Sequence, residues 1–135
     1  MKYNVILISI VYNDNREILL IKRKREPGMG KWSLPGGVGA LEKENNPMKA
    51  VAQEVQGDFG VDYINCDLFT MQYSDQTEPT LRLYFYGKIK GDPQIKSVKT
   101  IQELKWFTID EALDTELAFE ETDKEVIHNF KKKVF

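Results

Sequence analysis

Residues Trp32 to Val61 read WSLPGGVGALEKENNPMKAVAQEVQGDFGV, a double-glycine bend that leads into one amphipathic helix. Asn46 is a favourable N-cap, and Pro47 suits the first helical position, where an N–H would have no partner. Met48, Val51, Ala52, Val55 and Phe59 recur at spacings of three and four, which makes one apolar stripe that must face inward. Gly60 is placed to take the left-handed conformation that ends a helix. Glu54 and Asp58 stand one helical turn apart at the edge of the stripe, roughly 80 to 120° from its centre. Carboxylates so spaced lie about 6 Å apart and repel each other, which a divalent cation would relieve. Gly57 has no helical rationale, since an interior glycine costs about 1 kcal/mol relative to alanine.

These residues resemble the Nudix (MutT-type) hydrolases. That family's signature is G-x5-E-x7-R-E-U-x-E-E-x-G-U, with U a bulky aliphatic residue, commonly after W-x-L-P-G-G. Here Trp32-Ser33-Leu34-Pro35-Gly36-Gly37 matches the approach, and the run from Gln53 to Val61 matches the exit. The box is degenerate. Counting back from Gly60 puts the opening glycine at Gly39 and the first glutamate at Asn45, whereas counting forward from Gly37 puts that glutamate at Lys43. A loop two residues longer than usual would let Glu42 or Glu44 fill the role, and spacing does not choose between them. Gln53 stands for the signature's arginine, Gly57 for the first of its paired glutamates and Asp58 for the second, so Glu54 is the one direct match among the family's ligands. The likeness extends to Ile18-Leu19-Leu20-Ile21-Lys22-Arg23, to Arg25-Glu26-Pro27, and to Glu103-Leu104-Lys105-Trp106-Phe107 before Asp110-Glu111-Ala112. It implies one Nudix domain over residues 1–135, an α/β/α sandwich with a central mixed sheet, and a small-molecule nucleotide substrate.

The implied chemistry is metal-assisted cleavage of a pyrophosphate in a nucleoside diphosphate linked to another moiety, such as a nucleoside triphosphate or ADP-ribose. Mg²⁺ or Mn²⁺ would help water attack a phosphorus shielded by negative oxygens and would stabilise the leaving phosphate. Mg²⁺ needs only one or two protein carboxylates, with waters and phosphates completing its octahedron. The resemblance assigns Glu54 and Asp58 to catalysis and metal binding, with Glu44, or Glu42, and Glu103 as additional acids. Arg23 and Lys22 would hold phosphates, Arg23 being the better bidentate donor, beside Gly36 and Gly37. Phe119, Glu120 and Asp123 enter by position alone as base-recognition residues. A glycine at 57 removes one carboxylate, so the rival expectation is a Nudix-fold module that binds a nucleotide or protein without hydrolysis.

Each feature also has a plain structural meaning. Acids spaced by four are ordinarily a solvated helix flank, Gly-Gly after Pro is ordinarily a turn, and Lys22-Arg23-Lys24-Arg25 can be a charged strand end facing water. Glu103 can be an exposed strand residue, and Trp32 and Trp106 read as packing.

Composition narrows the function classes. A chain of 135 residues with 41% hydrophobic content suits one core, and a net charge of −2 lacks the footprint of a binder of polymeric nucleic acid. Lone Cys66 excludes an internal disulfide framework and suits a reducing cytoplasm. Met1 to Val11 lacks the basic region and cleavage site of a signal peptide and reads as a strand; no run is long enough to span a membrane. Oligomeric state stays open, a homodimer included. Further strands are expected at Val5 to Tyr12, Glu17 to Arg23, Tyr63 to Tyr73 and Leu81 to Ile89, with a polar stretch at 74–80. Leu81, Leu83 and Phe85 alternate with Arg82, Tyr84 and Tyr86, which gives that strand two different faces. Thr108 with Glu111, and Thr122 with Glu125, read as capping boxes that open two helices, the last turning Val126, Ile127 and Phe130 inward.

Overall fold

The computed structural model describes residues 2–75 and 78–135. Its elements are β1 (Asn4–Val11), β2 (Glu17–Arg23), β3 (Trp32–Ser33), β4 (Gly36–Val38), α1 (Ala40–Lys43), α2 (Pro47–Phe59), β5 (Asp62–Ser74), β6 (Thr80–Lys90), β7 (Ile101–Thr108), α3 (Ile109–Asp114) and α4 (Glu120–Val134). The strands expected from alternation and turn residues are found within a residue or so of their predicted ends. Gln76 and Thr77, in the polar stretch between β5 and β6, lie outside the described residues.

One sheet has the order β4-β1-β6-β5 and is mixed, because β1 runs parallel to β6 while its other pairs are antiparallel. The second sheet, β3-β2-β7, is antiparallel. Helices cover opposite faces of these strands, which is the expected α/β/α arrangement. Leu19 and Ile21 of β2 join Leu7, Phe85 and the α2 residues Val51, Val55 and Phe59 in one core. Ile18 and Leu20 join Ile10, Tyr84, Phe107 and the α4 residues Val126, Ile127 and Phe130 in the other. A strand covered on both faces needs apolar residues at every position, so Ile18-Leu19-Leu20-Ile21 does not alternate. The two faces expected of β6 meet these two cores: Leu83 and Phe85 pack in the first, Tyr84 and Tyr86 in the second.

The caps of α2 are those the sequence predicts. The Asn46 side chain accepts from the N–H groups of Met48 and Lys49 at 3.1 and 3.4 Å, and Pro47 opens the helix. Gly60 closes it at φ +70°, donating its N–H to the Gln56 carbonyl. The apolar face differs from expectation in one respect: Met48 is exposed, and Ala50 is buried in its place. At about 100° per residue, Glu54 and Asp58 fall between Ala50 and Val51 on the helix wheel. The covered sector is therefore widened toward the acids, and both are half-buried instead of standing outside its edge; Met48 shares the direction of Val55 and Phe59 but lies in the exposed first turn.

Two other local features were not visible beforehand. The longer loop after the glycines is taken up by the single turn of α1, which starts from Gly39 at φ +86°. α4 begins at Glu120, not at a Thr122 cap; the Thr122 hydroxyl instead donates to the Phe119 carbonyl at 3.2 Å. The Thr108–Glu111 box forms in both directions, at 3.2 and 3.0 Å, and opens α3. Among the described residues no helix is long and apolar enough to cross a membrane.

Two substitutions in α2 have opposite expected effects on stability. Asn46→Ala removes the acceptor for two helix N–H groups and should lower the unfolding free energy by about 1 kcal/mol. Gly57→Ala places a methyl group where no atom lies within 4 Å and should raise it by about 1 kcal/mol. Urea unfolding followed by circular dichroism measures both, and a Gly57→Ala protein less stable than the parent would contradict this account of the helix.

Candidate functional site

The double-glycine bend is brought to α2 by backbone contact. β4 pairs with β1 so that Leu7 faces Gly37 and Ile8 faces Gly36. A Cβ at position 36 would stand 2.7 Å from the Leu7 carbonyl oxygen and 3.1 Å from the Ile8 Cα, so only glycine allows this approach. Gly36, Gly37, Glu54 and Asp58 then line one cleft of about 440 Å³, with Arg23 at its side. Gly57, having no side chain, opens an adjoining groove of about 380 Å³ toward Lys43 and Gln53, and Glu54 and Asp58 border this one as well.

Burial raises the proton affinity of the two acids. It raises the Glu54 carboxyl above its ordinary range, the neighbouring charge of Asp58 raises it further, and Lys43 works in the opposite direction. Asp58 is also raised by burial, opposed by a hydrogen bond from the Ser97 hydroxyl to Oδ1 at 2.6 Å. A pair of half-buried carboxylates whose mutual repulsion Lys43 only partly offsets has the donor chemistry that hard divalent cations take up. Among the described residues no group of three or more acids, histidines or cysteines gathers at one point, so the set fits an ion held by two side chains and completed by water and substrate.

The other expected site residues are dispersed. Glu44 ends α1, and neither it nor the exposed Glu42 is among the residues lining the cleft. Lys22 and Glu103 face each other across the β2–β7 pair. Alternation turns Lys22 away from the face that carries Ile21 and Arg23 to the cleft, and the bulge that pairs Arg23 with Ile101 leaves Glu103 opposite Lys22 on that other face, so neither lines it. Conversely, Arg25, Lys96, Ser97, Lys99 and Thr100 do line it. Arg25 belongs to the Arg25-Glu26-Pro27 likeness and to the charged strand end without a site role of its own, and the Lys96–Thr100 segment carries no periodicity that points to it.

Arg23 joins the cleft to the start of α4. Its Nε donates to the Pro27 carbonyl at 2.6 Å, and its guanidinium carbon lies 5.0 Å from the centre of the Phe119 ring. Burial, and then Arg25, lower its affinity for its proton, while Asp123 acts to raise it. Asp123 is only 2% exposed. It accepts from the Tyr84 hydroxyl at 2.8 Å and the Thr122 hydroxyl at 3.4 Å, both on Oδ1. Nearby Arg82, whose charge acts on Asp123, has a buried Nη1 with no partner among the described residues. Of the three residues proposed by position, Phe119 and Asp123 thus meet around Arg23, while Glu120 is exposed and pairs with Lys124 at 3.4 Å.

Comparison with known proteins gives a consistent picture. The NUDIX domain family model matches residues 2–130. The chain is 30% identical to a MutT-like protein of Streptomyces ambofaciens over 109 residues, which cover 81% of this chain and 66% of that one. It is 24% identical to the ADPR responsive transcriptional repressor NtrR of Acinetobacter baylyi over 110 residues, 79% of this chain and 44% of that one. The chain therefore spans less than two thirds of the length of either relative. The NUDIX domain of Shewanella oneidensis NrtR, solved with ADP ribose, has the same fold, with a TM-score of 0.83 at 17% identity over 100% of this chain and 90% of that one.

Asp123 gives the fold a distinct pH dependence. Burial pushes its carboxyl up to about 6, against the hydrogen bond from Tyr84 and the charge of Arg82. Between about 4 and 6 the folded chain holds a proton that the unfolded chain has released, so stability falls as pH rises through that window. Asp123→Asn keeps an acceptor for Tyr84 without the charge. It should flatten this slope and raise the unfolding free energy at pH 7 by about 1–3 kcal/mol, as measured by denaturant unfolding from pH 4 to 8. An unchanged slope would show that the carboxyl is already ionised at pH 4.

Proposed function

The chain belongs to the Nudix family, and from that premise we propose that it is a metal-dependent pyrophosphohydrolase acting on a nucleoside diphosphate linked to a further moiety. The observation that carries this reading is the convergence of Glu54, Asp58, Gly36, Gly37 and Arg23 on one cleft. Glu54 and Asp58 would hold Mg²⁺ or Mn²⁺. When bound, such an ion polarises the phosphoryl oxygens, lowers the pKa of its water and stabilises the departing phosphate. Arg23 and Arg25 would bind the phosphate oxygens from the cleft wall; Arg23, with Nε tied to Pro27, presents its remaining N–H groups in a fixed fork. A carboxylate oxygen of Glu54 or Asp58 not taken up by the ion would orient the attacking water.

ADP-ribose and nucleoside triphosphates are the substrate classes to test. Support for the first comes from two similar proteins, one described as ADPR responsive and one solved with ADP ribose. Gly57 favours a second reading, a module that binds the nucleotide without turning it over, because it leaves the helix one acid short of the family's box.

Purified protein with Mg²⁺ or Mn²⁺ should release phosphate-containing products from a panel that includes ADP-ribose and the nucleoside triphosphates. Glu54→Gln should reduce the rate by about 100-fold or more, the order expected for loss of a metal ligand or general base. Gly57→Glu, which has open space to occupy, should tighten the requirement for Mg²⁺. Turnover that survives Glu54→Gln refutes the assignment; tight calorimetric binding of ADP-ribose in EDTA with no turnover in Mg²⁺ identifies the binding module instead.

A further inference from the structure

The segment from Gly91 to Thr100, between β6 and β7, has no regular structure, yet it is fastened to the end of α2 that carries Asp58. Gln94 donates its N–H to the Phe59 carbonyl at 3.1 Å, and Lys96 donates its own to the Asp58 carbonyl at 2.9 Å. Ser97 comes next. Its carbonyl accepts from the N–H groups of Thr100 and Ile101 at 3.1 and 3.0 Å and from the Thr100 hydroxyl at 3.4 Å, which makes it the hub of the turn entering β7. The far side of that turn is held by Lys24, whose Nζ donates to the Val98 carbonyl at 3.0 Å and whose N–H donates to the Thr100 carbonyl at 3.0 Å. Ser97 is thus fixed through its backbone on both sides, and its hydroxyl is aimed at Asp58 Oδ1 at 2.6 Å.

We propose that Ser97 is a positioning residue that fixes the Asp58 carboxylate for cation binding, an inference that rests on the metal-dependent reading above. An aspartate has one methylene less reach than the glutamate it replaces in the family's signature, so its ligating oxygen must be oriented from outside the helix. The Ser97 hydroxyl occupies Oδ1, and among the described residues Oδ2 has no protein partner. The donor thus selects which oxygen faces the cation and restricts the carboxylate to one rotamer. Ser97, Glu54 and Asp58 border both the main cleft and the groove opened by Gly57, so the three groups surround the place where the two cavities meet.

The test is Mn²⁺ binding to the whole chain, read from the free-ion signal in electron paramagnetic resonance without substrate. Ser97→Ala should weaken Mn²⁺ binding by about 10- to 100-fold, the range seen when a ligand's hydrogen-bond partner is removed. Ser97→Thr, which keeps the hydroxyl, should bind within about 3-fold of the parent. Ser97→Val has the shape of the threonine variant without its donor and should behave like the alanine variant. Comparing Thr with Val separates the hydrogen bond from the mere anchoring of the turn, and it decides the matter even if the alanine protein does not fold. Equal affinity in the Thr and Val proteins, with Glu54→Gln still weakening Mn²⁺, overturns the role of Ser97 and leaves the metal site standing. Mn²⁺ affinity unaffected by Glu54→Gln overturns the metal site and this inference together.

Discussion

The site depends on one close approach between backbones, that of β4 to β1 at Gly36. With a Cβ at this position only 2.7 Å from the Leu7 carbonyl oxygen, any other residue would force the strands apart and carry the double-glycine bend with them. Leu7 is a member of the core on which α2 packs through Val51, Val55 and Phe59. The strand that holds the bend therefore also seats the helix, and the bend and the acids keep their relative places because both are referred to β1. Pairing of Leu7 with Gly37 and of Ile8 with Gly36 fixes the register, and with it which residues of the bend reach the cleft.

The second determinant is the breadth of the buried face of α2. A buried face that ended at Val51 would leave Glu54 and Asp58 outside the covered sector, where water screens their repulsion. Burial of Ala50 instead draws both acids into the sector, and this desolvation is the leading cause of the upward shift at each. A buried alanine one turn before Glu54 thus tunes the electrostatics of the site without belonging to it.

Features set by short-range rules were legible in the sequence, and those set by tertiary fit were not. Asn46, Pro47 and Gly60 act within a few residues of themselves, so the ends of α2 could be read directly, as could the Thr108–Glu111 box. The same motif at Thr122 failed, because the chain had already entered α4 at Glu120. The loop after the glycines left Glu42 and Glu44 as alternatives on spacing. Packing resolves the added length into the turn of α1 and sets neither residue against the cleft. Lys22 and Glu103 match the family's strands in order, but alternation at Lys22 and the bulge before Glu103 set both on the face away from the cleft, and a bulge has no local signal here. Ser97, Lys96 and Lys99 had no local signal at all, since a segment without periodicity reveals its position only through what it touches.

Depth separates the two signs of charge in the cleft. Lys96, Lys99 and Arg25 are exposed on its lining, whereas Glu54 and Asp58 are half-buried on α2. A unit-charge pair 4 Å apart interacts by about 1 kcal/mol in bulk water and by about 4 kcal/mol at an effective dielectric near 20. The exposed cations therefore neutralise the acids poorly, and the repulsion between Glu54 and Asp58 persists beneath a basic rim. On the reading proposed above, the rim attracts the phosphates at long range, where screening limits it to steering. The acids hold the cation at short range, where little water intervenes. Lysines set deep beside the carboxylates would have paired with them and left neither function available. The irregular path of residues 94–100 over the end of α2 keeps the lysines on the rim while delivering to Asp58 a neutral donor, the hydroxyl of Ser97.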